Sequence, residues 1–134
     1  MRRVEESFYR MCIDSFRVVV EAVLTDHVAA RQRGVDLAAH DELHLFMVAD
    51  YAVQICCLER YHRNWLAPCW IAGICHNTDR LFPGNQAMVQ ETLEKYMALL
   101  PDETYESLPK SSIIQAVLEH SGPNQEDGKD HSVI

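Results

Sequence analysis

Three histidines in separate apolar segments are the residues of this chain best placed to do chemistry. His44 lies near the start of one such segment, His76 ends the apolar run 70–75, and His120 shares a face with Ile113 and Val117. A neutral imidazole that burial keeps from ionising is a good metal ligand. One histidine on an apolar face is more often a hydrogen-bonded core residue. Three of them, one on each core-facing helix, are less easily dismissed, and two interpretations stay open at this point: hydrogen-bonded core residues, or ligands of a shared metal ion.

The residues that follow His76 are polar and ionisable. Asn77, Asp79 and Arg80 come directly after the apolar run, and Pro83-Gly84 stops any helix. A buried helix that reaches the surface could end in this way, and so could the wall of a site. Arg80 is suited to act as a C-terminal cation favoured by the helix dipole. We favour the wall of a site.

The segment His40–His44 places two histidines four residues apart, as in the H-E-x-x-H pattern of zinc proteases. Asp41, however, is a good helix N-cap, which places His40 before the helix and not on it. We therefore predict that His40 is a solvated residue outside the site.

Apolar residues recur at helical spacing nearly throughout, which predicts an all-α, single-domain bundle of about five helices over residues 1–134. The first helix is long and stops near Gly34, and the second runs from about Asp41 to about Glu59. The predicted core stripe of the first is Phe8, Cys12, Phe16, Val19, Val23 and His27. That of the second is His44, Val48, Tyr51, Ile55 and Leu58.

The later helices are shorter. Pro68 suits the first turn of a third helix, which is apolar all round and therefore central. A fourth ends at Pro101, and a fifth opens at the capping box Ser112–Gln115 and ends at Gly122-Pro123. The predicted core face of the fourth is Met88, Thr92 or Leu93, Tyr96 and Leu100. We also expect Trp65 and Trp70 in the core, and Asp50 either in a salt bridge inside the bundle or facing the site.

Composition limits the partners. Twenty acidic residues against twelve basic ones give a net charge of −8, which argues against nucleic acid or an anionic membrane as a main partner. No apolar run approaches the roughly 20 residues of a membrane span. The five cysteines include no C-x-x-C pair and are expected to be reduced thiols of a cytoplasmic protein. Their odd number, and the apolar Val133-Ile134 at the chain end, are compatible with a homodimer.

Taken in order, His44, then His76-Asn77 at the end of an apolar helix, then the segment LEHSGPNQED resemble the HD superfamily of metal-dependent phosphohydrolases. The signature of that helical domain is H…HD…D. The resemblance covers roughly residues 40–134 and implies a bound divalent ion (Mn, Fe, Zn, Ni or Mg). It also implies that the substrate is a nucleotide or another small phosphate ester.

The resemblance assigns roles to six residues. His44 and His76 are the first metal ligands, Asn77 stands where the paired Asp of the family belongs, and His120 is similar to an extra histidine on a later helix of many members. Arg80 lies where several members carry Lys or Glu and would hold the phosphate. Asp79 would either pair with Arg80 or approach the metal.

Two departures leave more than one function open. Asn77 offers a neutral carbonyl oxygen in place of a carboxylate, which weakens the binding of a hard dication. The chain ends at Ile134, about where a helix with the last Asp of the family is expected, so either the domain is truncated or that ligand is missing. The sequence therefore favours either an HD-like phosphohydrolase or a degenerate, non-catalytic HD-like domain that binds a ligand or a protein partner. An unrelated helical bundle is the third interpretation.

Overall fold

The computed structural model describes residues 6–38, 40–59, 65–100 and 110–120. In these ranges the regular structure is entirely helical, which confirms the all-α prediction for the described part of the chain. Its seven helical segments are α1 (Glu6–Ser15), α2 (Arg17–Gln32), α3 (Glu42–Leu58), α4 (Leu66–Cys75), α5 (Thr78–Leu81), α6 (Gln86–Ala98) and α7 (Lys110–His120). Among these helices, none combines the length and the hydropathy that crossing a membrane requires.

The predicted first helix is divided at Phe16 into α1 and α2. The backbone of Phe16 has φ −110° and ψ 22°, outside the helical region, and its ring is buried 6.1 Å from the ring of Trp70. Gly34, at φ 89°, takes the left-handed conformation that ends many helices, so the predicted stop is confirmed. From Cys12 onward every residue of the predicted core stripe is buried, and Phe8 packs against the same core half-buried.

Helix α4 is central, as predicted, and every residue from Trp70 to Cys75 is buried. Helix α3 packs against it at Gly73, where a Cβ atom would collide with the backbone of Ala49 and lie 2.8 Å from its nitrogen. Helices α3 and α4 also contact each other where the ring of His44 meets that of His76. Because His44 precedes Ala49 whereas His76 follows Gly73, the two helices run antiparallel.

The core face of α3 is not the predicted one. The buried residues are Leu45, Ala49, Ala52, Val53 and Cys56, whereas Tyr51, Ile55 and Leu58 are 57%, 36% and 54% exposed. The prediction was therefore wrong by one residue position, about 100° around the helix. Helix α3 is apolar on nearly all sides, so periodicity does not select a face. The small side chain of Ala49 does, because it allows the close approach to α4 at Gly73.

Helices α6 and α7 complete the bundle. Helix α6 contacts α2, α5 and α7, and α7 also packs on α4. The Tyr96 hydroxyl donates a 2.6 Å hydrogen bond to Asp26, which ties α6 to α2. Helix α7 is already helical at Lys110, ahead of the predicted capping box. The predicted stops at Pro101 and at Gly122-Pro123, together with the C-terminal residues 124–134, lie outside the described ranges.

The two tryptophans differ. Trp70 is buried, as predicted, and Asp50 accepts a hydrogen bond from its side chain. Trp65 is 45% exposed, so the prediction that it lies in the core was wrong; it comes just before α4 and does not reach the centre of the bundle. Desolvation raises the pKa of Asp50, and since its hydrogen-bond partner is Trp70, it does not face the histidines.

Candidate functional site

Three histidine rings meet where α3 begins and α4 ends. The ring centroids of His44 and His76 are 5.2 Å apart, and those of His40 and His44 are 5.3 Å apart in an edge-to-face arrangement. His44 lies in the first turn of α3, behind the Asp41 N-cap, whose carboxylate accepts a 3.0 Å hydrogen bond from the His44 amide. The antiparallel packing of α3 on α4 therefore brings together the first two metal ligands that the family resemblance implies.

His76 has a defined tautomer. Its Nδ1 lies 2.6 Å from the carbonyl oxygen of Gly73, and a carbonyl only accepts, so Nδ1 carries a proton and, in the neutral ring, Nε2 carries the lone pair. A backbone carbonyl that holds Nδ1–H in this way is a common arrangement behind metal-binding imidazoles. The residue is only 3% exposed. Gly73 thus serves twice, since it lets α3 approach and orients the ring of His76.

Asn77 is 1% exposed and its Nδ2 donates a 2.8 Å hydrogen bond to the backbone carbonyl of His40. This bond fastens the turn before α3 to the end of α4. A carboxylate at this position could not make it, because an ionised Asp has no proton to donate. The amide nitrogen of Asn77 therefore has a structural partner.

Asp79 and Arg80 lie on the short helix α5, which continues from the end of α4. The Thr78 hydroxyl donates a 2.6 Å hydrogen bond to the carbonyl of Cys75, and Arg33 donates one of 2.8 Å to the carbonyl of Leu81, so α5 is held at both ends. Arg80 and Asp79 form an ion pair with a 3.8 Å separation, and the side chain of Arg80 is 47% exposed. The arginine is therefore accessible to a ligand on the same end of the bundle as the histidines.

His120 is the last residue of α7, and its side chain lies outside the described residues. Its helix packs on α4, the helix whose C-cap is His76. The assignment of His120 to the metal site stays a prediction.

His40 is nearer the site than predicted. It is half-buried, contacts the ring of His44 and is fixed through its carbonyl by Asn77. The expectation of a solvated residue was wrong because the turn before α3 folds back over the end of α4. The four-residue spacing between His40 and His44 was the sequence signal that the two rings are close. We did not follow it, because the N-cap at Asp41 places His40 before the helix.

His27 is a second histidine with unusual surroundings. It is fully buried, its Nδ1 donates a 2.8 Å hydrogen bond to the Val23 carbonyl, and its Nε2 has no hydrogen-bond partner within the described ranges. Desolvation lowers its pKa, so the ring is neutral at pH 7. The sequence placed it on the core stripe, and the structure confirms that position.

The spacing of the rings is compatible with one ion between His44 and His76. An imidazole nitrogen lies about 2.0–2.1 Å from a bound zinc, so its ring centroid lies about 3.2 Å from the ion, and two rings at a tetrahedral angle are about 5 Å apart. The observed 5.2 Å agrees. Within the described part of the chain, no group of three or more His, Cys, Asp or Glu is arranged to hold a metal ion.

Neither family models nor curated proteins nor solved structures give a match to this chain. The similarity to the HD superfamily therefore rests on the residues named above.

Proposed function

We propose that this chain is an HD-like domain that binds a divalent metal ion through His44 and His76 and hydrolyses a small phosphate ester such as a nucleotide. The observation that supports this most is the 5.2 Å separation of the two rings at the junction of α3 and α4, with the lone pair of His76 assigned to Nε2 by its bond to Gly73. The order of the elements, a histidine on one helix and a second at the end of the next, agrees with the family resemblance.

The nature of the ligands favours one class of ion. Imidazole nitrogens suit zinc, iron and nickel, whereas magnesium prefers carboxylate and water oxygens. With Asn77 in place of an acid, the site offers little negative charge to a hard ion. A divalent ion there would bind phosphate oxygens and lower the pKa of a water molecule. We therefore expect a transition ion in preference to Mg²⁺.

The remaining residues of the site would bind the phosphate and hold its neighbours in place. Arg80 offers five N–H donors in a planar fork, which matches two phosphate oxygens. Asp79 restrains the guanidinium through the 3.8 Å ion pair. Asn77 fixes the turn that carries His40, and His40 borders His44. His120, at the end of α7, is the further ligand that the resemblance predicts.

A second function is favoured by one observation. The Asn77 amide is committed to the His40 carbonyl, which gives this residue a structural reason that does not involve a metal. A degenerate HD-like domain that binds a ligand or a protein partner without catalysis would keep such a bond. The two functions predict different outcomes when Asn77 is replaced by an acid.

Phosphate release from a panel of nucleotides and a chromogenic phosphate monoester, with zinc, iron, nickel, manganese and magnesium in turn, tests the first function. Arg80→Ala is expected to raise KM by about 10- to 100-fold, because it removes charge-assisted hydrogen bonds. Arg17→Ala is the matched control, since Arg17 is also a surface arginine paired with an aspartate, Asp14, at 3.5 Å. Arg17→Ala should leave KM unchanged. No phosphate release above background with any of these ions would overturn the proposal.

Asn77→Asp separates the two functions. In a working site it supplies the acid that the family pattern requires, so phosphate release should rise even though the bond to His40 is lost. In a non-catalytic domain it only lowers the free energy of unfolding, by about 1–3 kcal/mol, because a buried carbonyl and a carboxylate then face each other. Thermal unfolding measured beside the assay distinguishes these results.

A further inference from the structure

Helix α3 leaves an apolar face uncovered along its whole length. Leu43, Met47, Tyr51, Ile55 and Leu58, which we call the outer face, are 69%, 47%, 57%, 36% and 54% exposed. At 100° per residue these five positions fall within an arc of about 120°. Exposed apolar residues scattered singly are ordinary, but a continuous stripe of large ones marks an interaction surface.

We infer that the outer face of α3 is the interface of a homodimer, in which α3 packs antiparallel against the same helix of a second copy about a two-fold axis at Tyr51. This goes beyond the proposed function and does not depend on it.

The spacing of the residues is self-complementary. With Tyr51 on the axis, residue 47 lies opposite residue 55 of the other copy, so Met47 meets the partner's Ile55 and the reverse contact is identical. Leu43 and Leu58 lie at the two ends of the stripe. In the same register, Leu43 of one copy lies one residue position away from Leu58 of the other. A two-fold interface requires this property, that the same patch serves on both copies.

The charge pattern also fits a second copy of this chain. The five residues of the outer face include no acidic or basic side chain. Two further residues fall within its arc: His44, which is half-buried and contacts the rings of His40 and His76, and Gln54, whose side chain hydrogen-bonds Tyr9 of the same chain. Two molecules of net charge −8 repel each other, and a face without acidic side chains is where they can approach at the lowest cost. Since salt screens the repulsion, dimerisation should strengthen as ionic strength rises.

The area reaches what a specific dimer needs. From the exposed fractions, the five side chains present about 500 Å² of mostly apolar surface, near the upper end for the largest patch of a monomer. Two copies would bury about 1,000 Å² in total, the lower bound of specific interfaces. Helix α3 is about 25 Å long at 1.5 Å per residue, so the contact extends over a whole helix.

Sedimentation equilibrium at about 5 to 200 μM protein tests the inference. Wild-type protein should have twice the 15.4 kDa mass of one chain. Tyr51→Glu should be monomeric, with Kd raised at least about 100-fold, because two charges then meet on the axis. Val18→Glu is the matched control, since Val18 is 58% exposed on α2, and it should remain dimeric. A monomeric wild type, or a dimer that Tyr51→Glu leaves intact, would overturn the inference.

A charge pair tests the register. Met47→Glu and Ile55→Lys should each weaken the dimer, whereas the double variant should recover at least about tenfold in affinity over either single one, because each introduced acid then faces an introduced base of the other copy. Circular dichroism checks that all variants fold. If the dimer Kd of the double variant rose by the product of the two single increases, the antiparallel pairing about Tyr51 would be ruled out.

Discussion

The contact between α3 and α4 has two ends, and both carry side chains of types that bind metals. At one end are His40, His44 and His76. At the other, the thiols of Cys56 and Cys69 hydrogen-bond each other. Residue types alone would rank these ends equally as metal sites.

Protonation separates them. Desolvation raises the pKa of Cys56 and that of Cys69, the latter to about 12, so both thiols keep their protons at neutral pH, and a metal ion would have to displace these protons to bind. At the histidine end the ring of His76 is oriented with its lone pair on Nε2. Burial therefore makes a cysteine less reactive but leaves a neutral imidazole able to bind a metal, and for this reason we propose the site at the histidine end of the helix pair.

Gly73→Ala should disrupt both ends of the contact between α3 and α4, and it has the largest expected effect on the free energy of unfolding. The added Cβ meets the Ala49 backbone, which cannot move independently of α3, so the helices must separate. We expect the free energy of unfolding to fall by about 3 kcal/mol, the upper range for overpacking, although Ala is the better helix former. Chemical denaturation measures it.

Gly84→Ala is the control for Gly73→Ala. Gly84 has φ 74° and open space around its Cα, so the substitution strains the backbone by about 1–2 kcal/mol without touching α3 or α4. An equal loss in the two variants would contradict the close approach at Gly73.

Thiol reactivity sharpens the contrast at the cysteine end. With a pKa of about 12, against 9.0 ordinarily, Cys69 has about 1,000-fold less thiolate at pH 8, and after allowing for its greater intrinsic nucleophilicity we expect alkylation at least about 30-fold slower than at an exposed cysteine. Iodoacetamide labelling followed by peptide mass spectrometry gives the rate. Ser111→Cys, at an exposed position of α7, supplies the reference. Equal rates at the two positions would show that Cys69 is not a desolvated thiol.

Part of this arrangement can be predicted from the sequence and part cannot. The N-cap at Asp41, the stop at Gly34 and the buried α4 depend on local chemistry, and all three are confirmed. The buried face of α3 does not depend on local chemistry. A helix that is apolar on most sides gives no periodic signal, and only the pairing of Ala49 with Gly73 selects the buried side. Three residues of the misplaced stripe, Tyr51, Ile55 and Leu58, lie exposed on the outer face.

The site shows the same division. The order of His44 and His76 on successive elements could be predicted from their spacing. The position of His40 could not, since it depends on a turn that Asn77 pulls onto α4 through a bond between residues 37 positions apart. Arg80 beside Asp79 was one of the two arrangements considered, and the ion pair is present.

Metal content measured by elemental mass spectrometry tests the central claim most directly. Untagged protein, incubated with zinc, iron, nickel or manganese and then desalted, should retain about one equivalent of at least one ion. The His44→Ala/His76→Ala double variant should retain less than about a tenth of an equivalent, whereas Cys56→Ala/Cys69→Ala should match wild type. Less than a tenth of an equivalent in the wild type with every ion, or loss of the ion in the cysteine variant alone, would contradict a metal site at the histidine end.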